Sequence, residues 1–453
     1  MNNKNDLNEG DLLMDNTTLK VSENIIFKKV KDDYYIFSSN LNDYILEGVS
    51  SEIFDFICKG YSYTEIVNSI KDKYDVKQSI IESDVTRIIN ELTRFKILDL
   101  QNEELLHEES IHEKDLINNE INNDDDENLS LFDKGHKKNI PINVDFHVTY
   151  KCNLKCKHCY AASQNTNFSN NELTLEEIKR TFDQLDELGT FYLRITGGEP
   201  FVHPQFKEIL KYAYLKKFAV SIVTNGTLIS DDILDDLKEF KIRSLTFSLH
   251  GGDASVHDAF VGQNGAFEKL KKNIIKCKNK GLRVQLSWVI TKDSYNELEK
   301  IRKLGKELGI PVGIGTRIVP QMDGDLAPKQ HRLSEEQLST FIKENNLEIK
   351  PLRCTIGTKL QINSNGNVQP CLFVDDILGN TRESSVQDIW RNLLKTRDEK
   401  YKNYYTTPKE CEVCLYYKKC HRCPGIANIE GEKPNICSET AKWEAKAFYL
   451  AKN

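Results

Sequence analysis

The stretch TYKCNLKCKHCY, Thr149 to Tyr160, decides how this chain of 453 residues is read. Its cysteines, Cys152, Cys156 and Cys159, are spaced Cys-x-x-x-Cys-x-x-Cys. Three thiolates on one short loop can hold three irons of a 4Fe-4S cluster and leave the last iron without a protein ligand, open to react. A zinc site is the competing reading, because cysteines two residues apart recur in zinc ribbons, but structural zinc takes four closed ligands. Immediately upstream, Asn143 to Thr149 has the apolar character of a strand running into this loop.

Downstream the chain keeps alternating strands and amphipathic helices. Further strands are expected at Tyr192 to Thr196, Ala219 to Thr224, Leu245 to Leu249, Val284 to Ile290 and Val312 to Ile318. Helices are expected between them, among others at Thr174 to Leu188, Pro204 to Lys216 and Asp231 to Phe240. Such a series makes a parallel β/α array of about six units, a partial barrel or an open sheet, with its site at the C-terminal ends of the strands. The next motifs fall there. The second strand ends in ITGGEP, where Gly197 and Gly198 let backbone approach a ligand and Glu199 can pair with an ammonium group. The third ends at Asn225 in TNGT and the fourth at Ser248 in SLHG.

Twelve cysteines in a chain with no basic-then-apolar start point to metal ligation or catalysis rather than disulfides, and to a cytoplasmic location. Seven lie near the end: Cys354, Cys371, then Cys411, Cys414, Cys420 and Cys423 as Cys-x-x-Cys-x5-Cys-x-x-Cys, then Cys437. A zinc ribbon over Cys411 to Cys437 stays open from spacing alone. Cys58 and Cys277 stand in helices of apolar period and read as packing residues.

The cysteine loop and GGEP turn, on successive strands, resemble the radical S-adenosylmethionine superfamily over roughly residues 141 to 325. That resemblance implies that the open iron chelates S-adenosylmethionine, whose reductive cleavage gives a 5'-deoxyadenosyl radical that takes hydrogen from the substrate. It also implies that His158 fills the usually aromatic place before the last cysteine, Tyr160 lies beside the adenine, Glu199 meets the methionine ammonium and Ser248 lies near the ribose. Asn225 is a further expected neighbour, together with Gly197 and Gly198. The family often has Asp where His250 stands. The C-terminal cysteines resemble the SPASM extension over about residues 350 to 440. Its interleaved pattern implies one cluster on Cys411, Cys414, Cys420 and Cys437 and a second on Cys354, Cys371 and Cys423. That makes three 4Fe-4S clusters in all. The second auxiliary set is one ligand short, and its vacancy could take a substrate thiolate. Here two residues, not the usual three, precede Cys423.

The ends of the chain differ in charge. Residues 1–100 carry 12 Lys+Arg against 18 Asp+Glu, residues 101–139 carry 4 against 12, and the remainder is mildly basic, against a net charge of -7 for the whole. Residues 101–139 read as an acidic flexible linker. Ahead of it, strands at Asn24 to Val30, Asp33 to Phe37 and Tyr44 to Glu47 precede helices at Ser50 to Cys58, Thr64 to Tyr74 and Ile80 to Phe95, a winged-helix-like pattern. The acidic balance argues against nucleic acid as a partner, and no apolar run is long enough to span a membrane. With DYILEGVSSEIFDFICKGYSYTEIVNSIKDKYDV and its Gly60 to Ile66 turn, this segment resembles leader-peptide recognition domains of ribosomally made, modified peptides.

The expected organisation is therefore a recognition domain over 1–100, a linker over 101–139, a partial (β/α)6 barrel over 140–335 and a SPASM auxiliary-cluster domain over 336–453. As a whole the chain resembles subtilosin-type sactipeptide thioether synthases. That resemblance implies a precursor peptide as substrate, its leader on the N-terminal sheet edge and its core in the barrel mouth. It also implies sulfur-to-carbon thioether crosslinks and an external electron donor such as flavodoxin or ferredoxin. Carbon-carbon or carbon-oxygen crosslinking by the same clusters is the alternative chemistry. A metal-stabilised winged-helix regulator is the alternative of another class.

Overall fold

The computed structural model describes residues 19–38, 43–100, 137–161, 171–348, 354 and 356–452. The acidic linker expected over 101–139 lies, up to residue 136, outside the described residues. The chain divides into two compact units, Met1–Glu113 and Lys114–Asn453.

The first unit holds β1 (Leu19–Val21), β2 (Ile25–Val30), β3 (Asp33–Ser38), β4 (Tyr44–Leu46), α1 (Val49–Cys58), α2 (Tyr63–Lys73), α3 (Gln78–Arg94) and β5 (Leu98–Leu100). Strands β2, β3 and β4 form an antiparallel sheet in that order, so β4 is an end strand. The β1–β5 pair escaped the sequence reading, since three-residue strands carry too little period to show. The Gly60 to Ile66 turn has a plain physical origin. Ser62 Oγ accepts from Glu65 N at 3.3 Å while the Glu65 carboxylate accepts from Ser62 N at 2.8 Å, a capping box that starts α2. Apolar faces of the three helices, including Ile53, Phe54, Ile66, Ile70, Val85 and Ile89, close over the sheets as one core.

The second unit is built on β6 (Asn143–Thr149), β7 (Tyr192–Gly197), β8 (Ala219–Thr224), β9 (Ser244–Leu249), β10 (Val284–Val289) and β11 (Val312–Gly315). All six are parallel and neighbour one another in chain order. Helices α4 (Leu175–Glu187), α5 (Phe206–Leu215), α6 (Asp231–Glu239), α7 (Ala254–Val261), α8 (Ala266–Asn279) and α9 (Leu298–Leu308) connect them. This is the expected partial barrel. Side chains alternate across each strand: Val144, Phe146, Leu193, Ile195, Ile222, Phe247 and Leu286 join the buried apolar core. The other face is polar, with Arg194 forked onto Asp145 at 2.8 and 2.9 Å and Gln285 bonded to Thr246 at 2.8 Å. Burial would raise the Asp145 carboxyl, but Arg194 outweighs it and holds the pKa at about 2.

Two boundaries differ from the sequence reading. Strand β11 stops at Gly315 rather than Ile318 because Thr316 and Arg317 turn to bond Glu444. The sheet also continues past the expected boundary at residue 335. Strand β12 (Lys359–Ile362) pairs in parallel with β6, and β13 (Asn367–Gln369) and β14 (Gly379–Asn380) follow antiparallel, giving nine strands in one sheet. Helices α10 (Glu335–Glu344), α11 (Val386–Lys400), α12 (Lys402–Tyr405), α13 (Pro424–Ile429) and α14 (Glu439–Lys452) complete the unit. Cys277 is fully buried in the core on α8, whereas Cys58 is exposed at the end of α1 and fills no core position.

Because β12 is the seam between barrel and C-terminal part, truncating a buried residue there should loosen both. Leu360→Ala is expected to destabilise the second unit by about 2–5 kcal/mol. Hydrogen-exchange mass spectrometry should show protection lost together in β6 and β13; loss confined to β13 would mean that the two parts unfold separately.

Candidate radical and auxiliary cluster sites

The cysteine loop leaves the C-terminal end of β6 and is held on three sides. The turn after β7 is stitched to it, with Gly198 N donating to Thr149 O at 2.8 Å and Glu199 N to Lys151 O at 2.9 Å. A Cβ at Gly198 would stand 2.3 Å from Lys151 O, and one at Gly197 would stand 2.1 Å from Thr149 O. Only glycine permits that approach, and Gly197 also has φ +131°. From α7, Val261 O accepts Lys155 N at 2.9 Å and Phe260 O accepts Lys157 N at 3.2 Å. From the β8 end, Asn225 Nδ2 donates to Asn153 Oδ1 at 2.9 Å and lies 3.8 Å from Cys152 Sγ.

The three thiols are gathered. Burial raises Cys156, and the charges of Cys159 and Cys152 raise it further; burial, then Glu199 and Cys159, push Cys152 up to about 11. Leu154 N points at Cys152 Sγ from 3.4 Å, as suits a thiolate. Among the described residues no three His, Cys, Asp or Glu side chains are drawn together as tightly as one metal ion requires.

Glu199 is fully buried. Its Oε1 accepts Phe201 N at 3.2 Å and Thr224 Oγ1 at 2.8 Å, and its Oε2 accepts Asn225 N at 2.7 Å. Burial raises its pKa to about 7 against the pull of these donors. A carboxylate has about four acceptor positions, so among the described residues one on Oε2 is unfilled. Asn225 is committed to the protein: its Oδ1 accepts from Thr227 N and Oγ1 at 2.9 and 2.6 Å, so its side chain positions the loop. Ser248 is half-buried on the polar face of β9. Tyr160 bonds Thr196, and burial pushes its hydroxyl up to about 12.

His158 packs edge-on to His250 and Phe260 at 4.9 Å each. The Nε2 of His158 and the Nδ1 of His250 are buried with no partner among the described residues. Sequence reading missed α7, which supplies Phe260, and Glu172, whose Oε1 takes Thr149 Oγ1 at 2.7 Å and Tyr150 N at 3.0 Å. Glu172 belongs to no motif, and nothing local marks it.

The C-terminal thiols sort into two sets. Burial, then Cys437, Cys411 and Cys414, push Cys420 up to about 11. Burial, with Cys423 and Cys354 adding, pushes Cys371 up to about 12. Just past Cys423 the chain lies close to its neighbour: a Cβ at Gly425 would stand 2.6 Å from Phe373 O. This contact seats the start of α13 against the turn that carries Cys371. Arg317 lies at this junction, bonded to Glu444 and donating Nη2 to His421 O at 2.6 Å.

The superfamily model described as "Radical SAM superfamily" matches residues 146–305, and the SPASM model, an iron-sulfur cluster-binding domain, matches residues 354–424. The antilisterial bacteriocin subtilosin biosynthesis protein of Bacillus subtilis is 30% identical over 326 residues, 66% of this chain and 71% of that protein. The chain belongs to the radical SAM superfamily. It is an enzyme of that superfamily with a SPASM domain, and S-adenosylmethionine and iron-sulfur clusters are its cofactors. This displaces both the zinc reading of the C-terminal cysteines and the regulator reading of the whole. An AdoMet-dependent heme synthase of Methanosarcina barkeri is 29% identical over 322 residues, 63% of this chain and 91% of that one. In fold, the chain is similar to Streptococcus suis SuiB bound to precursor peptide SuiA, with TM-score 0.56, 18% identity, and coverage of 94% of this chain and all of that one.

The donor set fits the cofactors: clustered thiols, an N–H aimed at sulfur, and buried polar atoms beside the loop that lack a partner among the described residues. Gly198→Ala should force the turn off the cysteine loop. The variant is expected to lose the iron that Cys152, Cys156 and Cys159 would hold while keeping iron that the C-terminal cysteines would hold, read by iron content and electron paramagnetic resonance. Full iron retention would show that the loop holds its shape without the stitch.

Proposed function

We propose that this radical SAM enzyme modifies a ribosomally made precursor peptide, joining a cysteine sulfur to a carbon of the peptide. The observation that carries the reading is the combination of a unit whose short end strand, Tyr44–Leu46, can accept an added strand with a body that bears Cys152, Cys156 and Cys159 on one loop and seven further spaced cysteines. The peptide-bound Streptococcus suis neighbour and the subtilosin relative support a peptide substrate. In this reading the leader pairs with β4 beside the Tyr44–Phe95 ring pair, which are 4.5 Å apart, and the tether raises the local concentration of the core peptide.

Cys152, Cys156 and Cys159 hold the radical cluster. His158, Tyr160, Gly197, Gly198, Glu199 and Ser248 border S-adenosylmethionine, with the last acceptor position of Glu199 meeting its ammonium. Asn225 acts by holding the loop. The cluster and S-adenosylmethionine, when bound, supply a 5'-deoxyadenosyl radical that takes a hydrogen atom from the substrate. Cys411, Cys414, Cys420 and Cys437 close one auxiliary site, and Cys354, Cys371 and Cys423 leave a second with room for a substrate thiol. Thioether formation replaces one C–H and one S–H by a C–S bond. One hydrogen leaves in deoxyadenosine and the other as the thiol proton, and an auxiliary cluster, when bound, would supply the acceptor for the remaining electron. The enzyme works in the cytoplasm with a flavodoxin- or ferredoxin-type donor.

The heme synthase relative supports a second reading, in which the substrate is a tetrapyrrole. One assay separates the two. With reductant, S-adenosylmethionine and a cysteine-containing precursor peptide, the enzyme should release deoxyadenosine and lower the peptide mass by two hydrogens per crosslink, with the linked cysteines resistant to alkylation. A mass loss with cysteines still alkylated points to carbon-carbon or carbon-oxygen crosslinking. An unchanged peptide alongside turnover of an iron tetrapyrrole overturns the peptide reading.

A further inference from the structure

The loop between Cys420 and Cys423 belongs to both auxiliary sets, and its two inner residues are His421 and Arg422. Each carries buried polar atoms with no partner among the described residues: Nε2 of His421, and Nε and Nη2 of Arg422. Native structures seldom leave a buried guanidinium donor without an acceptor. Arg317, its neighbour in this region, shows the usual solution. Its Nε lies 3.0 Å and its Nη2 2.6 Å from Glu444 Oε2, and Nη2 also reaches His421 O. Arg317 therefore fixes the loop from behind with its charge matched by Glu444.

Among the described residues no carboxylate bonds Nε or Nη2 of Arg422. Arg422 stands instead next to Cys423 of the three-thiol set and two residues after Cys420 of the four-thiol set, so its backbone is fixed between the two sets. Arg317 also lies near a thiol of each set, Cys420 and Cys423, but its donors are taken up by Glu444 and His421 O, whereas the buried Nε–H and Nη2–H of Arg422 have no acceptor among the described residues, and cluster sulfur would provide one.

We propose that Arg422 bridges the two auxiliary iron-sulfur clusters, donating Nε–H and Nη2–H to their sulfur atoms and raising their reduction potentials. Hydrogen bonds to cluster sulfur and nearby positive charge are the means by which a protein sets such potentials. A planar fork of fixed donors suits a bridge better than an ammonium. Arg422 is a positioning and tuning residue, not a cluster ligand. The inference rests on the proposed auxiliary clusters.

The test is a redox titration of the reconstituted holoenzyme followed by electron paramagnetic resonance, with iron and sulfide content measured in parallel. Arg422→Gln, Arg422→Lys and, as a control, the exposed Lys418→Gln are compared with the wild type. At the wild-type midpoint, Arg422→Gln should raise the oxidised-to-reduced ratio of an auxiliary cluster about tenfold, equivalent to about 59 mV for a one-electron couple. Arg422→Lys should fall between, and Lys418→Gln should not move. Unchanged potentials in both Arg422 variants at full iron loading overturn the inference, as does an equal shift from Lys418→Gln. Should Arg422→Gln lose iron, the lysine variant decides. Wild-type protein without auxiliary iron overturns the cluster reading itself, a distinct result.

Discussion

The structure depends on one close approach. Two strand ends meet where the β7 turn lies against the cysteine loop, and at Gly198 not even a methyl group fits. Everything at the radical site follows from that stitch. It sets the turn against the loop that carries the three thiols and leaves the Glu199 side chain pointing at the end of β8. There Glu199 collects Thr224 and Asn225, and Asn225 reaches back to Asn153 in the cysteine loop. The ends of three successive strands are thereby locked in a closed circuit of hydrogen bonds. A loop that must present three thiolates in one geometry needs such support, because a free loop of this length would have many other conformations to lose.

The same economy joins barrel to tail. Strand β12 adds to β6, the strand that feeds the cysteine loop, and Arg317 and Glu444 tie the end of the last barrel strand to the last helix. Cys371, just past β13, is therefore carried on the same sheet as the thiols of the barrel. Two parts with separate sequence signatures fold as one body, and their geometry is inherited from one set of strands.

Much of this was legible in residues. The six barrel strands follow from apolar runs because a sheet buried under helices demands them, and the capping box at Ser62 and Glu65 announces the start of α2. What escaped has physical reasons. The β1–β5 pair is too short to carry a period. Strand β11 ends early because a tertiary partner, Glu444, captures Arg317. The partners of the Asn225 side chain, Thr227 and Asn153, are near in space, and spacing alone does not reveal them. Cys58, read as a packing residue from its apolar helix, is exposed because it lies at the helix end.

The sequence by itself determined the chemistry available: three thiols on one loop, seven more in a spaced series, and glycines where backbone must touch backbone. These are local properties, carried by residue type and spacing. Only the tertiary structure decided which thiols share a neighbourhood, that Glu199 is engaged by Phe201, Thr224 and Asn225, and that, among the described residues, Nε and Nη2 of Arg422 are buried without a partner. Those facts depend on which groups burial has brought together and which donors it has left unpaired, and neither is a property of any one stretch of chain.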